Sequence, residues 1–307
     1  MSKYNTKRFI QMGFYRISFL LAILFLCGTP KLQSQERKSF EFEGLDRNFL
    51  VKVPEKMYSE SGYPVVVALH GFTQSARRIS NYSGFVEMAE EEGFIAVFPQ
   101  GIQASWNFGI TLNDVDDVAF LSSILDSLEK WYPVDSERIY FCGFSNGAFM
   151  SFEMACRMSH RIAAIASVGG SMGRSQFLDC EPEYPVGVMI VHGNDDRVIL
   201  FEGQSWVKQV AEVTDHWVLQ NGCNMMRDTM ETFSNDQGVI SVVRISHSPC
   251  QDQTAVELWK VYGGGHTWPG SRAHSGSGRT NRDIDASAKM WQFFTRHKRA
   301  NFQPETK

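Results

Sequence analysis

Two kinds of apolar segment alternate along most of this chain. From residue 65 onward, short apolar runs typical of buried strands are separated by segments whose apolar residues recur at helical spacing. Strands are predicted over residues 65–69, 95–98, 139–142, 162–168, 186–191 and 256–262, and helices over residues 85–92, about 115–131 and 286–294, with a further helix ending at residue 158. This alternation predicts an α/β fold in which helices cover both faces of a mostly parallel sheet.

Two stretches depart from the alternation. Residues 39–53 alternate apolar and polar side chains around a turn near residues 44–47, which predicts an antiparallel hairpin. Residues 225–248 fit either a second hairpin or an irregular insertion. The 307 residues, of which 43% are hydrophobic, suffice for one large core, and no long linker divides them. We therefore predict a single catalytic domain.

The first 34 residues have the composition of an export signal. Basic residues precede an apolar run at residues 17–27, and no acidic residue occurs before Glu36. That run is too short to span a bilayer, so we expect no stable membrane span. The small Ser34, followed by a polar stretch, predicts a mature domain over residues 35–307.

A lipid anchor at Cys27 is a second interpretation of the same segment. The preceding residue, Leu26, stands where lipoprotein processing requires a small side chain. We therefore favour cleavage after residue 34 and a secreted or periplasmic protein.

Removal of residues 1–34 also changes the charge. It takes away five basic side chains and no acidic ones, which lowers the formal net charge from −4 to −9. Such an acidic chain repels phosphate backbones and anionic membrane surfaces. We therefore expect no nucleic-acid partner, whereas neutral small-molecule esters or polysaccharide fragments would meet no electrostatic penalty, and the sign of the charge does not choose among them. The oligomeric state stays open.

The strongest chemical signal follows the predicted strand at residues 139–142. Residues 143–147 read Gly-Phe-Ser-Asn-Gly and lead into a helix. A serine flanked in this way on a strand-to-helix turn is the nucleophile elbow of ester hydrolases. An ordinary glycine turn is the competing interpretation, but the strand and the helix on either side favour Ser145 as the nucleophile.

The acid and the base of a triad on this kind of fold follow the serine in that order. The predicted strand at residues 186–191 runs into Asp195 and Asp196, which compete for the role of the acid, and spacing alone does not separate them. His266 lies in a glycine-rich loop after the last predicted strand. That position makes it the candidate base.

Two backbone N–H groups are candidates for the oxyanion hole. One belongs to Asn146, the residue after the nucleophile. The other comes from the loop after the strand at residues 65–69, where Phe72 is the first candidate and Thr73 the second. His70 and His192 each precede a glycine at a strand end, and we expect both to make structural hydrogen bonds.

These motifs together resemble one known family, the polyhydroxybutyrate depolymerase and feruloyl esterase family of secreted esterases. The resemblance covers roughly residues 40–294 and implies the α/β-hydrolase fold, with Ser145 as nucleophile, Asp196 as acid and His266 as base. The motifs that carry it are His70-Gly71, Trp106-Asn107, the Val-Asp-Asp-Val at residues 115–118, the elbow, His192-Gly193 with Asp196, and above all the Gly-Gly-Gly-His-Thr-Trp-Pro-Gly at residues 263–270.

The same resemblance implies a disulfide between Cys223 and Cys250. Cys156 with Cys180 is predicted as a second pair, since thiols of exported proteins tend to be oxidised. Cys142 lies in an apolar run and is expected to be a free, buried thiol.

One position departs from the family, and two acidic residues have an ordinary explanation. The family often has Cys after the first His-Gly, where this chain has Phe72, although a backbone donor survives that change. Asp116 and Asp117 open a predicted helix, where the helix dipole favours acids. We therefore predict no metal site and no cofactor.

Two tryptophans flank the expected site. Trp106 and Trp268 are the candidate stacking partners of a substrate ring, with Thr73 as a further contact, and simple packing of the loops is the competing interpretation. Stacking favours a feruloyl or acetyl xylan esterase that acts on plant polysaccharide. Polyhydroxyalkanoate oligomers are the nearest competing substrate. A peptidase or thioesterase, or an inactive scaffold that binds carbohydrate or protein, are the remaining alternatives.

Overall fold

A computed structural model describes residues 35–56, 60–110, 114–226 and 229–299 of the chain. The predicted export signal and Cys27 lie outside the described residues. Among the residues that are described, no helix is long and apolar enough to cross a membrane.

Ten strands of the described chain form one sheet. They are β1 (Glu36–Phe42), β2 (Leu45–Lys52), β3 (Tyr63–Leu69), β4 (Ile95–Pro99), β5 (Val134–Phe144), β6 (Ala164–Val168), β7 (Gly187–Gly193), β8 (Thr229–Ser234), β9 (Ile240–His247) and β10 (Val256–Val261). Their order across the sheet is β1-β2-β4-β3-β5-β6-β7-β10-β9-β8.

The six strands from β4 to β10 in the sheet pair in parallel, and an antiparallel hairpin extends each edge. The predicted α/β fold with a mostly parallel sheet is therefore confirmed. The hairpin predicted at residues 39–53 is β1 and β2. Of the two interpretations of residues 225–248, the hairpin is confirmed as β8 and β9.

Seven α-helices flank this sheet in the described residues: α1 (Ala76–Ser83), α2 (Phe85–Glu92), α3 (Asp117–Trp131), α4 (Asn146–Arg157), α5 (Arg174–Leu178), α6 (Val210–Gln220) and α7 (Ala286–Phe294). Two apolar clusters, one on each face of the sheet, lie between the strands and the helices. Helices α3, α4 and α6 contribute to the cluster on one face, and α1, α2 and α7 to the cluster on the other.

Strand β3 shows why the central strands are continuously apolar. Its residues Val65, Val67 and Leu69 belong to the cluster under α3 and α4, whereas Val66 and Ala68 belong to the opposite cluster. Because both faces of the strand are buried, no position is left for a polar side chain. Each large apolar side chain buried in this way contributes about 1.5–3 kcal/mol of transfer free energy.

Helix α6 is an element that the sequence did not predict. Its buried positions Val210, Val213, Thr214, Trp217 and Val218 lie at helical spacing. Most of them are β-branched, and such residues have low intrinsic helix propensity and are more typical of strands. Burial against β7 and β10 stabilises this helix in spite of its composition.

Both predicted disulfides are present. Cys156 is bonded to Cys180 and Cys223 to Cys250. Cys142 is free and buried, as expected from its place in the apolar run. Burial raises the pKa of the Cys142 thiol well above its usual value, so this sulfur is an inert part of the core.

Candidate active site

Ser145 lies on a sharp turn between β5 and α4. Its φ of 55° and ψ of −118° form a strained backbone that few non-glycine residues adopt. The turn requires small neighbours, because a Cβ on Gly143 would lie 2.1 Å from the carbonyl oxygen of Gly147, and one on Gly147 would lie 2.1 Å from that of Leu69. The geometry is that of the predicted elbow.

Asp196 and His266 are joined by a short hydrogen bond. The imidazole Nδ1 lies 2.7 Å from the carboxylate Oδ2 of Asp196, and both side chains are buried. The other carboxylate oxygen accepts hydrogen bonds from the N–H groups of Val198 and Ile199, each at 2.9 Å. The acid therefore holds the Nδ1–H tautomer of His266 and leaves Nε2 with a free lone pair.

The charge on Asp196 is stabilised by these contacts. Burial alone would raise the pKa of its carboxyl, but the hydrogen bond from His266 and the neighbouring imidazoles outweigh burial, so this pKa lies below its usual value. Asp195 has no such environment. Its side chain is 57% exposed and pairs with Arg197 at 3.3 Å, so the structure excludes it as the acid.

The base lies next to the nucleophile. The imidazole of His266 packs on the ring of Phe144, the residue before Ser145, with ring centroids 4.8 Å apart. A Cβ on Gly169 would lie 3.3 Å from Nδ1 of His266, and one on Gly170 would lie 3.0 Å from the carbonyl oxygen of Ser145. The same glycine pair therefore borders both residues, and the three segments of the triad converge at one end of the sheet.

Two backbone amides are available to an oxyanion. Within the described part of the chain, the N–H groups of Phe72 and Asn146 have no hydrogen-bond acceptor. The N–H of Thr73 donates to the carbonyl oxygen of Ala104 at 2.9 Å. Thr73 is thereby removed as the alternative donor, and Phe72 keeps the role predicted for it.

Trp106 is a buried support and not a substrate contact. Its side chain is 0% exposed, and its indole N–H donates to the carbonyl oxygen of His70 at 2.9 Å. The side chain of Asn146 binds its backbone, accepting from the N–H at 2.7 Å and donating to the carbonyl oxygen at 3.3 Å. The prediction that this ring stacks on a substrate is therefore wrong, and the competing interpretation, packing within the loop, is confirmed.

Trp268 is also buried, and Thr73 bonds to its own loop. The indole of Trp268 is 1% exposed, and its N–H donates to the hydroxyl of Ser287 on α7 at 3.0 Å. Its ring contacts Tyr82 and Phe85. The hydroxyl of Thr73 donates to the carbonyl oxygen of Phe72 at 2.6 Å, and Thr73 is not among the described residues that line the cavity presented below. The prediction that Trp268 stacks on a substrate is therefore wrong, whereas the contact predicted for Thr73 stays a prediction.

His70 makes the structural hydrogen bonds expected of it. Its Nδ1 lies 2.8 Å from the carbonyl oxygen of Gly71, and its Nε2 accepts from the N–H of Gly101 at 3.0 Å. Burial lowers the pKa of His70 to about 4, so the ring is neutral at neutral pH. His70 thus fixes the start of the loop that carries the Phe72 amide.

His192 contacts the loop that holds the candidate acid, Asp196. Its Nε2 lies 2.9 Å from the carbonyl oxygen of Ile199, and its Nδ1 lies 3.2 Å from that of Gly170. Burial lowers the pKa of this imidazole. Because Ile199 also donates to Asp196, His192 supports the loop that orients the acid.

A cavity of about 490 Å³ opens beside Ser145. Phe108 and Phe149 stack with ring centroids 4.9 Å apart, and Phe149 and Trp206 stack at 5.5 Å. Among the described residues no charged side chain lines the cavity, whose walls are Phe72, Ser105, Phe108, Ile110, Asn146, Phe149, Val198, Ile199 and Trp206. This arrangement suits an apolar acyl group bound next to the nucleophile.

The aromatic wall was missed by sequence reasoning, although two signals were available. Phe149 lies four residues after Ser145, which on a helix places both on one face. Trp206 lies outside any apolar run of the sequence, and the structure leaves it 37% exposed. An exposed tryptophan without a place in the core pattern is a candidate binding residue.

Known proteins with similar sequences are esterases. Residues 118–235 match the family described as Phospholipase/Carboxylesterase. Feruloyl esterase D of Neurospora crassa is 25% identical over 283 residues, which cover 88% of this chain and 89% of that protein. Feruloyl esterase B of Piromyces equi is 28% identical over 236 residues, which cover 72% of this chain and 42% of that protein.

A third relative and a solved structure extend the comparison. A bifunctional acetylxylan esterase/xylanase of Neocallimastix patriciarum is 25% identical over 227 residues, which cover 73% of this chain and 31% of that protein. The chain thus spans most of the Neurospora relative and less than half of the other two. The acetyl xylan esterase of Aspergillus awamori superposes with a TM-score of 0.62 at 16% identity, over 85% of this chain and 99% of that one. The chain therefore has the α/β-hydrolase fold.

The motif resemblance is confirmed on its feruloyl esterase side, since the relatives named above include feruloyl esterases. No group of three or more His, Cys, Asp or Glu side chains that could hold a metal ion occurs among the described residues.

Asp116 and Asp117 have separate roles. Asp116 caps α3 by accepting from the N–H of Ala119 at 2.8 Å. Asp117 is buried, where it pairs with Arg47 at 2.6 Å and accepts from the N–H of Asn107 at 2.8 Å. Neither contact of Asp117 was predicted. Together they tie the segment of Asn107, which leads into the cavity wall, to α3 and β2.

Proposed function

We propose that this α/β-hydrolase is an exported serine esterase that releases feruloyl groups from plant polysaccharide esters. The observation that carries the proposal is the cavity beside Ser145, whose described lining residues are apolar or uncharged and partly aromatic. The feruloyl and acetylxylan esterases among its relatives support the same reaction class.

The size of the cavity favours an aryl acyl group over an acetyl group. At about 490 Å³ it falls in the range that holds drug-sized ligands, and an acetyl group would leave most of it empty. A feruloyl group carries an aromatic ring conjugated to its ester carbonyl. The stacked rings of Phe149 and Trp206 offer that ring an aromatic wall, and such pairs are worth about 0.5–1.5 kcal/mol beyond area burial.

The proposed acylation step uses the three triad residues in fixed roles. Ser145 Oγ attacks the ester carbonyl carbon while Nε2 of His266 takes its proton, and Asp196 stabilises the imidazolium that results. The negative oxygen of the tetrahedral intermediate accepts hydrogen bonds from the Phe72 and Asn146 amides. When the intermediate collapses, the bond to the sugar oxygen breaks and His266 returns the proton to that oxygen.

Deacylation repeats these roles with water as the nucleophile. His266 Nε2 takes a proton from water, whose oxygen attacks the acyl carbon and re-forms the tetrahedral oxyanion between the same two amides. Collapse breaks the bond to Ser145 Oγ, which recovers the proton. The products are ferulate and free enzyme, so the cycle consumes one water for each ester.

Export is part of the proposal. The two disulfides support a location outside the reducing cytoplasm, because such bonds persist in oxidising compartments. The acidic chain also suits a neutral polysaccharide better than an anionic surface.

Ferulate release from methyl ferulate and from feruloylated arabinoxylan tests the proposal, with Ser145→Ala as the matched inactive control. We expect release by the native protein and a loss of about 10⁴-fold or more in the variant. Turnover of p-nitrophenyl acetate and acetylated xylan without ferulate release would overturn the feruloyl assignment and favour an acetyl xylan esterase. Preferential hydrolysis of 3-hydroxybutyrate oligomers would favour the polyhydroxyalkanoate alternative.

A further inference from the structure

Two loops that carry catalytic groups meet at one buried side chain. We call residues 70–74 the oxyanion loop, because they include the Phe72 amide, and residues 263–279 the base loop, because they include His266. Gln74 belongs to the first loop and is 8% exposed. It does not line the cavity beside Ser145.

The carboxamide of Gln74 contacts both loops. Its Nε2 donates to the carbonyl oxygen of Ser275, in the base loop, at 2.7 Å. Its Oε1 accepts from the N–H of Gly71, in its own loop, at 3.4 Å. The backbone N–H of Gln74 donates to the carbonyl oxygen of Gly71 at 3.1 Å and closes the turn around Phe72.

A tyrosine on α1 completes the arrangement. The hydroxyl of Tyr82 donates to Oε1 of Gln74 at 3.0 Å. Its ring contacts Phe144, next to the nucleophile, and Trp268, two residues after the base. Burial raises the pKa of Tyr82, so its hydroxyl stays a donor at neutral pH.

Ser275 also contacts the segment around the base, His266. Its hydroxyl accepts from the N–H of Trp268 at 2.9 Å, and its side chain is buried. The following residue, Gly276, lies so close to His266 that a Cβ there would be 2.0 Å from the carbonyl oxygen of His266. A shift of Ser275 would therefore move the segment that packs against His266.

We infer that Gln74 is a positioning residue that fixes the oxyanion loop against the base loop, an inference that rests on the proposed esterase function. The carboxamide offers an acceptor to Gly71 and Tyr82 and a donor to Ser275 at the same time. Gln74 touches neither substrate nor the reacting atoms. It sets the distance between the Phe72 amide and His266, and an error of about 1 Å in such a geometry slows catalysis by about 100-fold.

The variant Gln74→Met tests this role, because methionine is of similar length and forms none of the three side-chain hydrogen bonds of Gln74. With p-nitrophenyl acetate, and per active site titrated by the acyl-enzyme burst, we expect kcat to fall by about 10- to 100-fold and KM to change by less than about threefold. Phenylboronic acid forms a tetrahedral anion on the serine, so its affinity should fall by a factor close to that of kcat/KM.

Asn221→Leu is the matched control. Asn221 is 0% exposed, and its carboxamide likewise accepts from one backbone N–H and donates to one carbonyl, both of Val186, at 3.1 and 2.7 Å. Val186 precedes β7 at the end of the sheet opposite the triad. This control should lower stability and leave kcat and boronate affinity per active site at the wild-type values.

A milder variant protects the test against misfolding. Tyr82→Phe keeps the ring and removes one hydrogen bond to Gln74, and we expect a loss in kcat of about 2- to 10-fold. Wild-type kcat and boronate affinity in Gln74→Met, or an equal loss in Asn221→Leu, would overturn the inference. The changes in kcat and boronate affinity are measured with an acetyl ester and with phenylboronic acid. A failure to release ferulate would therefore overturn the proposed substrate and leave these values unchanged.

Discussion

The side chain of Asn146 binds the backbone of Trp106 at two atoms, accepting from its N–H at 2.7 Å and donating to its carbonyl oxygen at 3.3 Å. The backbone N–H of Asn146 is also the predicted second donor to the oxyanion. Because the indole of Trp106 donates to the carbonyl oxygen of His70, the two segments that hold the oxyanion donors are connected through this one tryptophan. The residue after the nucleophile therefore has two roles, one through its backbone and one through its side chain.

Asn146→Ala should separate these roles, because it keeps the backbone N–H and removes both side-chain hydrogen bonds. At about 1 kcal/mol for each bond, we expect kcat/KM to fall by about tenfold or more. The loss should be larger for methyl ferulate than for p-nitrophenyl acetate, since Trp106 lies between the wall residues Ser105 and Phe108. Asn235→Ala, in a turn of the β8–β9 hairpin, is the control. Equal losses on both esters would contradict a role in shaping the wall.

Asp196→Asn and Asp195→Asn form a matched pair. An amide at position 196 cannot hold His266 in the Nδ1–H tautomer, and we expect kcat to fall by about 10⁴-fold. The neighbouring change affects an exposed carboxylate paired with Arg197, so kcat should stay within about twofold. Steady-state kinetics of the two variants checks this, and comparable losses in both would show that the acid is assigned wrongly.

The triad could be predicted because its signals are local. Ser145 is marked by the glycines that its turn requires, and His266 by the glycine-rich loop that follows the last parallel strand. The choice between Asp195 and Asp196 is different, since both lie in one turn. Motif resemblance pointed to Asp196, but the physical reason is its burial beside an imidazole 70 residues away, which spacing does not encode.

The tryptophans show where such reasoning fails. Trp106 and Trp268 each lie close in sequence to a site residue, which made them candidates for the substrate. The direction of each indole is set by a partner far along the chain, the carbonyl oxygen of His70 for one and the hydroxyl of Ser287 for the other. Nearness in sequence to a catalytic residue therefore does not tell whether a ring faces the cavity or the core.

Apart from the signals at Phe149 and Trp206, the cavity wall could not be predicted, for a related reason. Phe72, Phe108, Phe149 and Trp206 come from four separate segments, and three of these are loops. Their meeting depends on loop conformations such as the one fixed by Asp117 through the Asn107 amide. Periodicity describes helices and strands, and it contains no information about these loops.

Trp206→Ala should lower activity on aryl esters selectively. The variant removes the outer ring of the stack with Phe149, and we expect kcat/KM for methyl ferulate to fall by about 3- to 30-fold. The value for p-nitrophenyl acetate should change by less than about twofold, because an acetyl group does not reach this wall. Trp131→Ala is the control, since Trp131 is 47% exposed on α3, away from the cavity. A parallel loss on both esters would contradict an acyl-selecting role.

Two buried histidines should make the protein less stable in mild acid. Burial lowers the pKa values of His70 and His297 to about 4, whereas an unfolded histidine has a pKa of about 6.5. Between these values the unfolded chain binds protons that the native chain does not. The free energy of unfolding should therefore fall as the pH decreases from 6.5 to 4, by up to about 1.4 kcal/mol per pH unit for each group.

His297→Gln measures the share of one histidine in this slope. The ring of His297 is 3% exposed, and its Nδ1 donates to the carbonyl oxygen of Phe293 at 2.8 Å, a bond that the glutamine amide can replace. Urea unfolding between pH 4.5 and 7 should show a slope reduced by nearly one proton in this variant. His160→Gln, at an exposed position on the surface, should keep the wild-type slope. An unchanged slope in His297→Gln would mean that the native state already accepts the proton, and that burial of this ring does not set its charge.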